Sequence, residues 1–204
     1  MKKLLSITLI LFALATQQAN AQLGDILGKV ASAVGSGSGS NITQIITSQL
    51  VPSSKQIIGT WAYQEPAVMF TSDNALKKVA GSVASSTVEK KLQTYLNKVG
   101  IKKGNLTITF KEDETFSINK GTKTIRTGTY SMNGNDVTLT FKGKTKPCKL
   151  TPQLDNGTLV VVMDATALKN FMSGIASYVS SLSTVTSLLN AYDGMKVGLR
   201  MSKQ

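Results

Sequence analysis

The chain has 204 residues, with 23 Lys and Arg against 11 Asp and Glu, one Cys, one Trp and no His. The missing His excludes Ser-His-Asp triads, Cys-His dyads and imidazole-ligated zinc; a single Cys excludes an intramolecular disulfide, a Cys-rich zinc site and a Cys-ligated iron–sulfur cluster. At 41% hydrophobic and 17% charged residues, the composition is that of a folded globular protein rather than a disordered one.

Residues 1–21 read as a secretory signal. Met1, Lys2 and Lys3 make a basic start, residues 4–15 an apolar run, and Ala19-Asn20-Ala21 a small-x-small site, so cleavage is expected after Ala21. The run is shorter than the about 20 residues of a membrane span. No Cys follows it to carry the lipid of a bacterial lipoprotein. The expected mature chain has no transmembrane segment and keeps a formal charge of +10, the full +12 less the two signal lysines. An exported protein, periplasmic or extracellular, is implied.

Residues 22–55 read as a flexible arm. Residues 23–30 suit one short amphipathic helix, and Gly35-Ser36-Gly37-Ser38-Gly39-Ser40 is linker that buries no apolar surface. Ile42, Ile45, Ile46 and Leu50 then recur at helical spacing, predicting a second short helix before Pro52. Residues 56–204 form the folded domain, about the modal size for a single core. Strand patterns come at residues 57–70, at 106–110 and at Phe116 and Ile118, then at 127–132, 137–142, 145–150, 158–163 and 195–201. Asn133-Gly134 and Asn156-Gly157 are hairpin turn signals.

Two helical blocks interrupt this meander. The first covers residues 74–99, with Ser72 or Asp73 as N-cap and Gly100 as C-cap. Ser86-Thr87-Val88-Glu89 fits a capping box, which suggests a break near Ser85. The second covers residues 165–192, capped by Asp164, with an apolar stripe through Leu168, Phe171, Met172 and Ile175 and a break at Ser180-Ser181. The expected fold is mainly β with α insertions: an antiparallel up-and-down barrel of about eight strands.

Gly59-Thr60-Trp61 opens the first core strand and resembles the Gly-x-Trp of lipocalin-like (calycin) barrels. In that family the Trp closes the base of the barrel and an Arg of the last strand packs across it. The resemblance implies that Arg200 covers Trp61, with Gly59, Trp61 and Arg200 as a structural signature. A closer resemblance, over most of residues 59–201, is to a secreted Bacteroidetes family of unknown function with a lipocalin-like domain. It is carried by the string from Gly59 to Val68, by Ser72-Asp73-Asn74, Lys98-Val99-Gly100, Thr127-Gly128-Thr129-Tyr130 and Asp164-Ala165-Thr166. It implies fold and export but no catalytic residue, and its long insertions are expected to cap or fill the cavity that a lipocalin leaves open.

Two functions follow from whether the barrel is open or filled. An open one binds a small apolar ligand, lined by Tyr63, Glu65, Phe110, Phe116, Tyr130 and Phe141, with Tyr95 or Phe171 at the mouth. A filled one is an envelope interaction protein whose lysines, clustered at residues 77–103 and 120–149, meet an anionic glycan or lipid surface. Nucleic acid is not an expected partner, because the chain is exported and shows no binding motif. No metal or other cofactor is expected: Glu112-Asp113-Glu114 lacks calcium-loop spacing and reads as a solvated hairpin tip. Cys148 reads as a buried small hydrophobe, and the protein as a non-enzyme.

Overall fold

The computed structural model describes residues 44–72, 84–175, 182–191 and 193–204, all within the unit Thr43–Gln204. The signal, the Gly/Ser run, Asp73, residues 74–83, the Ser180-Ser181 break and Tyr192 lie outside the described residues. The strands are β1 (Gln44–Ile45), β2 (Gly59–Phe70), β3 (Leu106–Phe110), β4 (Thr115–Lys120), β5 (Lys123–Asn133), β6 (Asp136–Phe141), β7 (Cys148–Asp155), β8 (Thr158–Met163) and β9 (Met195–Lys203). The helices are α1 (Ser54–Ile57), α2 (Ala84–Lys98), α3 (Ala165–Ile175) and α4 (Ser183–Ala191).

From β2 onward each strand pairs antiparallel with the next, and β9 returns to pair antiparallel with β2. Eight strands thus close into an up-and-down barrel, as the alternation of apolar and polar residues predicts, with β1 pairing parallel to the end of β2 that β3 leaves free. Asn156 and Gly157 both carry positive φ, 47° and 76°, as a tight hairpin between β7 and β8 requires.

Closure depends on the phase of β2. Its side chains alternate inward and outward until the pairing with β9 shifts between Tyr63 and Glu65, where Gln64 is the extra residue. Trp61 and Tyr63 face inward before the bulge. After it Val68 and Phe70 face inward, while Glu65, Ala67 and Met69 face out. The outward Ala67 and Met69 join Val160 and Val162 of β8 in an apolar patch on the outside of the barrel, and Ile46 packs against it.

That patch explains why the chain from residue 44 is fitted to the barrel, upstream of the Gln56 boundary read from the sequence. Ile42 lies outside the described residues; where Ile45, Ile46 and Leu50 predict a helix, the chain forms the short parallel strand β1 followed by a 3₁₀ turn at Ser48–Leu50. Burying Ile46 against an outer sheet face and satisfying the edge of β2 outweighs helical spacing over so few residues. The Ile46 N–H donates to Phe70 O at 2.8 Å, and the Thr47 N–H to Oε1 of the buried Gln153 at 2.8 Å. Ser53 and Gln56 then form a reciprocal capping box around α1.

The helices dock on inward-facing residues. Val88, Leu92, Tyr95 and Leu96 form the buried face of α2, and Gln93 Oε1 accepts from the Tyr63 hydroxyl at 3.0 Å. The described helix begins at Ala84, beside the break expected near Ser85, and the residues just before it lie outside the described residues. Its end is fixed by Gly100 at φ 76° and by Lys120 Nζ, which donates to Val99 O at 2.9 Å. Asp164 caps α3 as expected, accepting from the Ala167 N–H at 2.8 Å. Phe171 of α3 packs on Phe141, with ring centroids 6.2 Å apart.

Gly128 sets the spacing under these rings. It is paired with Phe116 of β4 on one side and Phe141 of β6 on the other, and those rings meet edge-on at 5.4 Å. A Cβ at Gly128 would lie 2.1 Å from Thr140 O and 2.8 Å from the Phe116 ring. Backbone and ring must then both shift. Gly128→Ala is therefore expected to cost about 2 kcal/mol, in the range of core overpacking. Urea unfolding at equilibrium reads this directly, and an unchanged midpoint would contradict the packing of β5 against β6.

Candidate functional site

The base of the barrel is built around Trp61. Its indole N–H donates to Ile57 O at 2.8 Å, which ties the ring to the end of α1. Across β2 and β9, Trp61 pairs with Lys203, whose Nζ sits 5.5 Å from the ring centroid. Lys203 thus takes the place over Trp61 that the family resemblance gave to Arg200. The reason is strand alternation: Arg200 lies three residues before Lys203, on the opposite face. It pairs instead with the outward Glu65, Nε to Oε1 at 3.1 Å, as an ion contact without hydrogen-bond alignment. Glu65 is accordingly an outer-face ion-pair residue, and the bulge at Gln64 is what turns it away from Tyr63. Gly59 carries φ 129°, and the Lys203 side chain runs 3.0 Å from where its Cβ would be.

The aromatic residues expected to line a cavity come together as one packed interior. Tyr63, Phe110, Phe116 and Phe141 are at most 2% exposed, and Tyr130 is 6% exposed. A side chain lining a ligand cavity would carry water-accessible surface toward it, and these carry almost none. Phe110 meets Tyr130 edge-on at 5.0 Å, and the Tyr130 hydroxyl donates to Lys111 O at 2.7 Å. Burial raises the Tyr63 hydroxyl well above its ordinary pKa; the hydrogen bond with Gln93 opposes this and the Glu65 charge adds to it. Tyr95 and Phe171, the expected mouth residues, are likewise buried, 2% and 1% exposed. Among the described residues these side chains pack against one another and against α2 and α3.

Other candidates resolve into local roles. Asp113 accepts from the Thr115 hydroxyl at 2.6 Å and the Thr115 N–H at 3.0 Å, bonds that hold its carboxyl below the usual range at a hairpin tip. Among the described residues no group of acids, Cys or His is placed to hold a metal ion. Cys148 is fully buried and its thiol donates to Ala167 O at 3.3 Å, tying β7 to α3.

The outer face offers more accessible chemistry. A groove of about 670 Å³ crosses β4, β5 and β6. Its walls include Lys111, Asp113, Lys142 and Lys144 and the hydroxyls of Thr115, Ser117, Thr127, Thr129 and Thr140. Sheet register aligns these hydroxyls in two rows. Thr115, Thr129 and Thr140 are directly opposite one another across three strands. Thr60, Thr109, Ser117 and Thr127 align across four. The Thr60 and Thr109 hydroxyls lie 2.9 Å apart. Sequence reading finds these residues as the polar half of strand alternation. Their alignment into rows depends on register, which the sequence does not state.

A second groove, of about 930 Å³, lies between residues 52–58 and the hairpin tips that carry Glu112, Glu114 and Gly134. Its walls mix Lys55 with the two glutamates, so it has no single charge.

Residues 32–203 match a family described as a lipocalin-like domain, DUF4923. A crystal structure of a DUF4847 family protein from Bacteroides vulgatus is similar at 17% identity and a TM-score of 0.33, covering 72% of this chain and 94% of that one. No curated protein matches the chain.

Burial pushes the Cys148 thiol up to about 12 from its ordinary 9.0, with the Asp164 charge adding to the effect and a backbone hydrogen bond at Phe171 opposing it. Above pH 9 the unfolded chain loses a proton that the folded chain keeps, so this group lowers stability as pH rises from 9 towards 12. From about pH 8 to about pH 10, the wild type should lose about 1 kcal/mol more stability than Cys148→Ala. Urea unfolding of both proteins at the two pH values reads the difference. Equal losses would contradict the burial of the thiol.

Proposed function

The chain belongs to the lipocalin-like domain family DUF4923, and from that premise we propose that it is an exported, non-enzymatic binding domain. It works with the outside of a filled barrel. The observation that carries this reading is the packed interior: the aromatic residues best suited to line an apolar ligand touch each other and the helices. The charge supports the same side of the choice. An excess of +10 on the expected mature chain attracts anionic surfaces, and exposed lysines line the groove on β4–β6. The partner is an anionic glycan or lipid surface of the cell envelope.

The non-enzymatic reading rests on the side chains at hand. The chain has no imidazole, its one thiol is buried with a raised pKa, and Glu65 is engaged by Arg200. Export rests on the signal-like residues 1–21, with cleavage after Ala21 in a periplasmic or extracellular setting. No helix among the described residues is long and apolar enough to cross a membrane.

Binding of this kind is electrostatic and screened by salt. Retention on immobilised anionic polysaccharide or anionic vesicles should be strong at low salt and lost by about 1 M, where the screening length falls to about 3 Å. Retention that is indifferent to salt, or none at low salt, would contradict the reading.

A further inference from the structure

The outer surface is not uniform, and one part of it has the geometry of a polymer track. We propose that the groove across β4, β5 and β6 binds an extended anionic polysaccharide laid across the strands; this deepens, and rests on, the outer-surface reading above.

Neighbouring strands lie about 4.8 Å apart, so each row presents a hydroxyl at about that interval along a line perpendicular to the strands. The two rows are two residues apart along each strand, about 6.7 Å. A chain laid along one row therefore has the second row at its flank. The Thr127, Thr129 and Thr140 hydroxyls can each donate or accept, as a sugar hydroxyl does, while Thr115, whose proton goes to Asp113, accepts only. Thr127, Thr129 and Thr140 are exposed, and Thr115 and Ser117 half-exposed.

Charge selects an acidic polymer over a neutral one. Exposed Lys111, Lys142 and Lys144 border the rows, and the single acid of the groove, Asp113, is turned onto Thr115 by two hydrogen bonds. Lys142 is also fixed along the track, since its N–H donates to Thr127 O at 2.9 Å. A lipid surface fits less well. The aromatic side chains under the groove, Phe116 and Phe141, are each 1% exposed and offer nothing to insert into a bilayer.

The test compares three variants of the full mature protein with the wild type on immobilised polygalacturonate, a neutral glucan and phosphatidylglycerol vesicles. The first variant reverses the groove lysines (Lys111→Glu, Lys142→Glu, Lys144→Glu). The second applies the same charge change to exposed lysines of α2 (Lys90→Glu, Lys91→Glu, Lys98→Glu). The third removes hydroxyls at constant charge and similar shape (Thr127→Val, Thr129→Val, Thr140→Val). All the substituted side chains are exposed, and circular dichroism with thermal melts checks that each variant folds.

The expected result is polygalacturonate binding that falls at least about tenfold in the groove-lysine variant and about fivefold in the threonine variant. The α2 variant should change little, and the neutral glucan should bind weakly. Equal losses from the groove and α2 variants, with no loss from the threonine variant, would overturn the groove while leaving an outer-surface role in place. Tighter binding to the vesicles than to polygalacturonate would overturn the glycan assignment. No wild-type binding to any of the three would overturn both the groove and the reading it rests on.

Discussion

The phase of β2 against β9 is the constraint on which the rest of the molecule depends. These two strands close the ring, and their pairing sets which side chains face the interior on either side of the closure. One extra residue at Gln64 divides β2 into two halves of opposite phase. Before it, Trp61 and Tyr63 point inward and meet Lys203 and Gln93. Beyond it, Glu65 turns out to Arg200, and Ala67 and Met69 turn out to form the patch that the segment around Ile46 covers. Without the bulge, Glu65 would enter an interior of aromatic rings as an unpaired carboxylate, at a cost of several kcal/mol. The charge is kept in the outer layer, and the inner layer is left free to pack.

That free inner layer is what the helices complete. A lipocalin-like barrel of eight strands has an interior wide enough for side chains or one small ligand. Here Tyr63, Phe110, Phe116, Tyr130 and Phe141 pack into it, and α2 and α3 contact them through Gln93 and Phe171. Gly128 keeps β5 close enough to β6 for Phe116 and Phe141 to meet. The proposed recognition therefore uses the outer face. Register there arranges ordinary strand threonines into rows, and turns bring lysines to the ends of those rows.

Much of this was legible in the sequence. Alternation and turn signals gave the closed antiparallel barrel, because one buried face imposes a period of two that few other structures share. Asp164 and Gly100 were readable as helix ends because capping is local chemistry. What was not legible depends on long-range register. A bulge adds one residue with no compositional mark, so Glu65 read as a residue of the aromatic interior, and Arg200, rather than Lys203, as the partner of Trp61. The segment at Ile45 and Ile46 has helical spacing, and only the apolar patch formed by β2 and β8 makes it a strand. The hydroxyl rows were hidden for the same reason: residues far apart in sequence become neighbours only once four strands are aligned.

The central claim is that the barrel interior belongs to the protein's own side chains. Native mass spectrometry of protein purified from its own host tests this most directly. A filled barrel predicts the mass of the polypeptide alone under gentle ionisation. A stoichiometric apolar molecule that stays bound in the native state and is released on unfolding would contradict it.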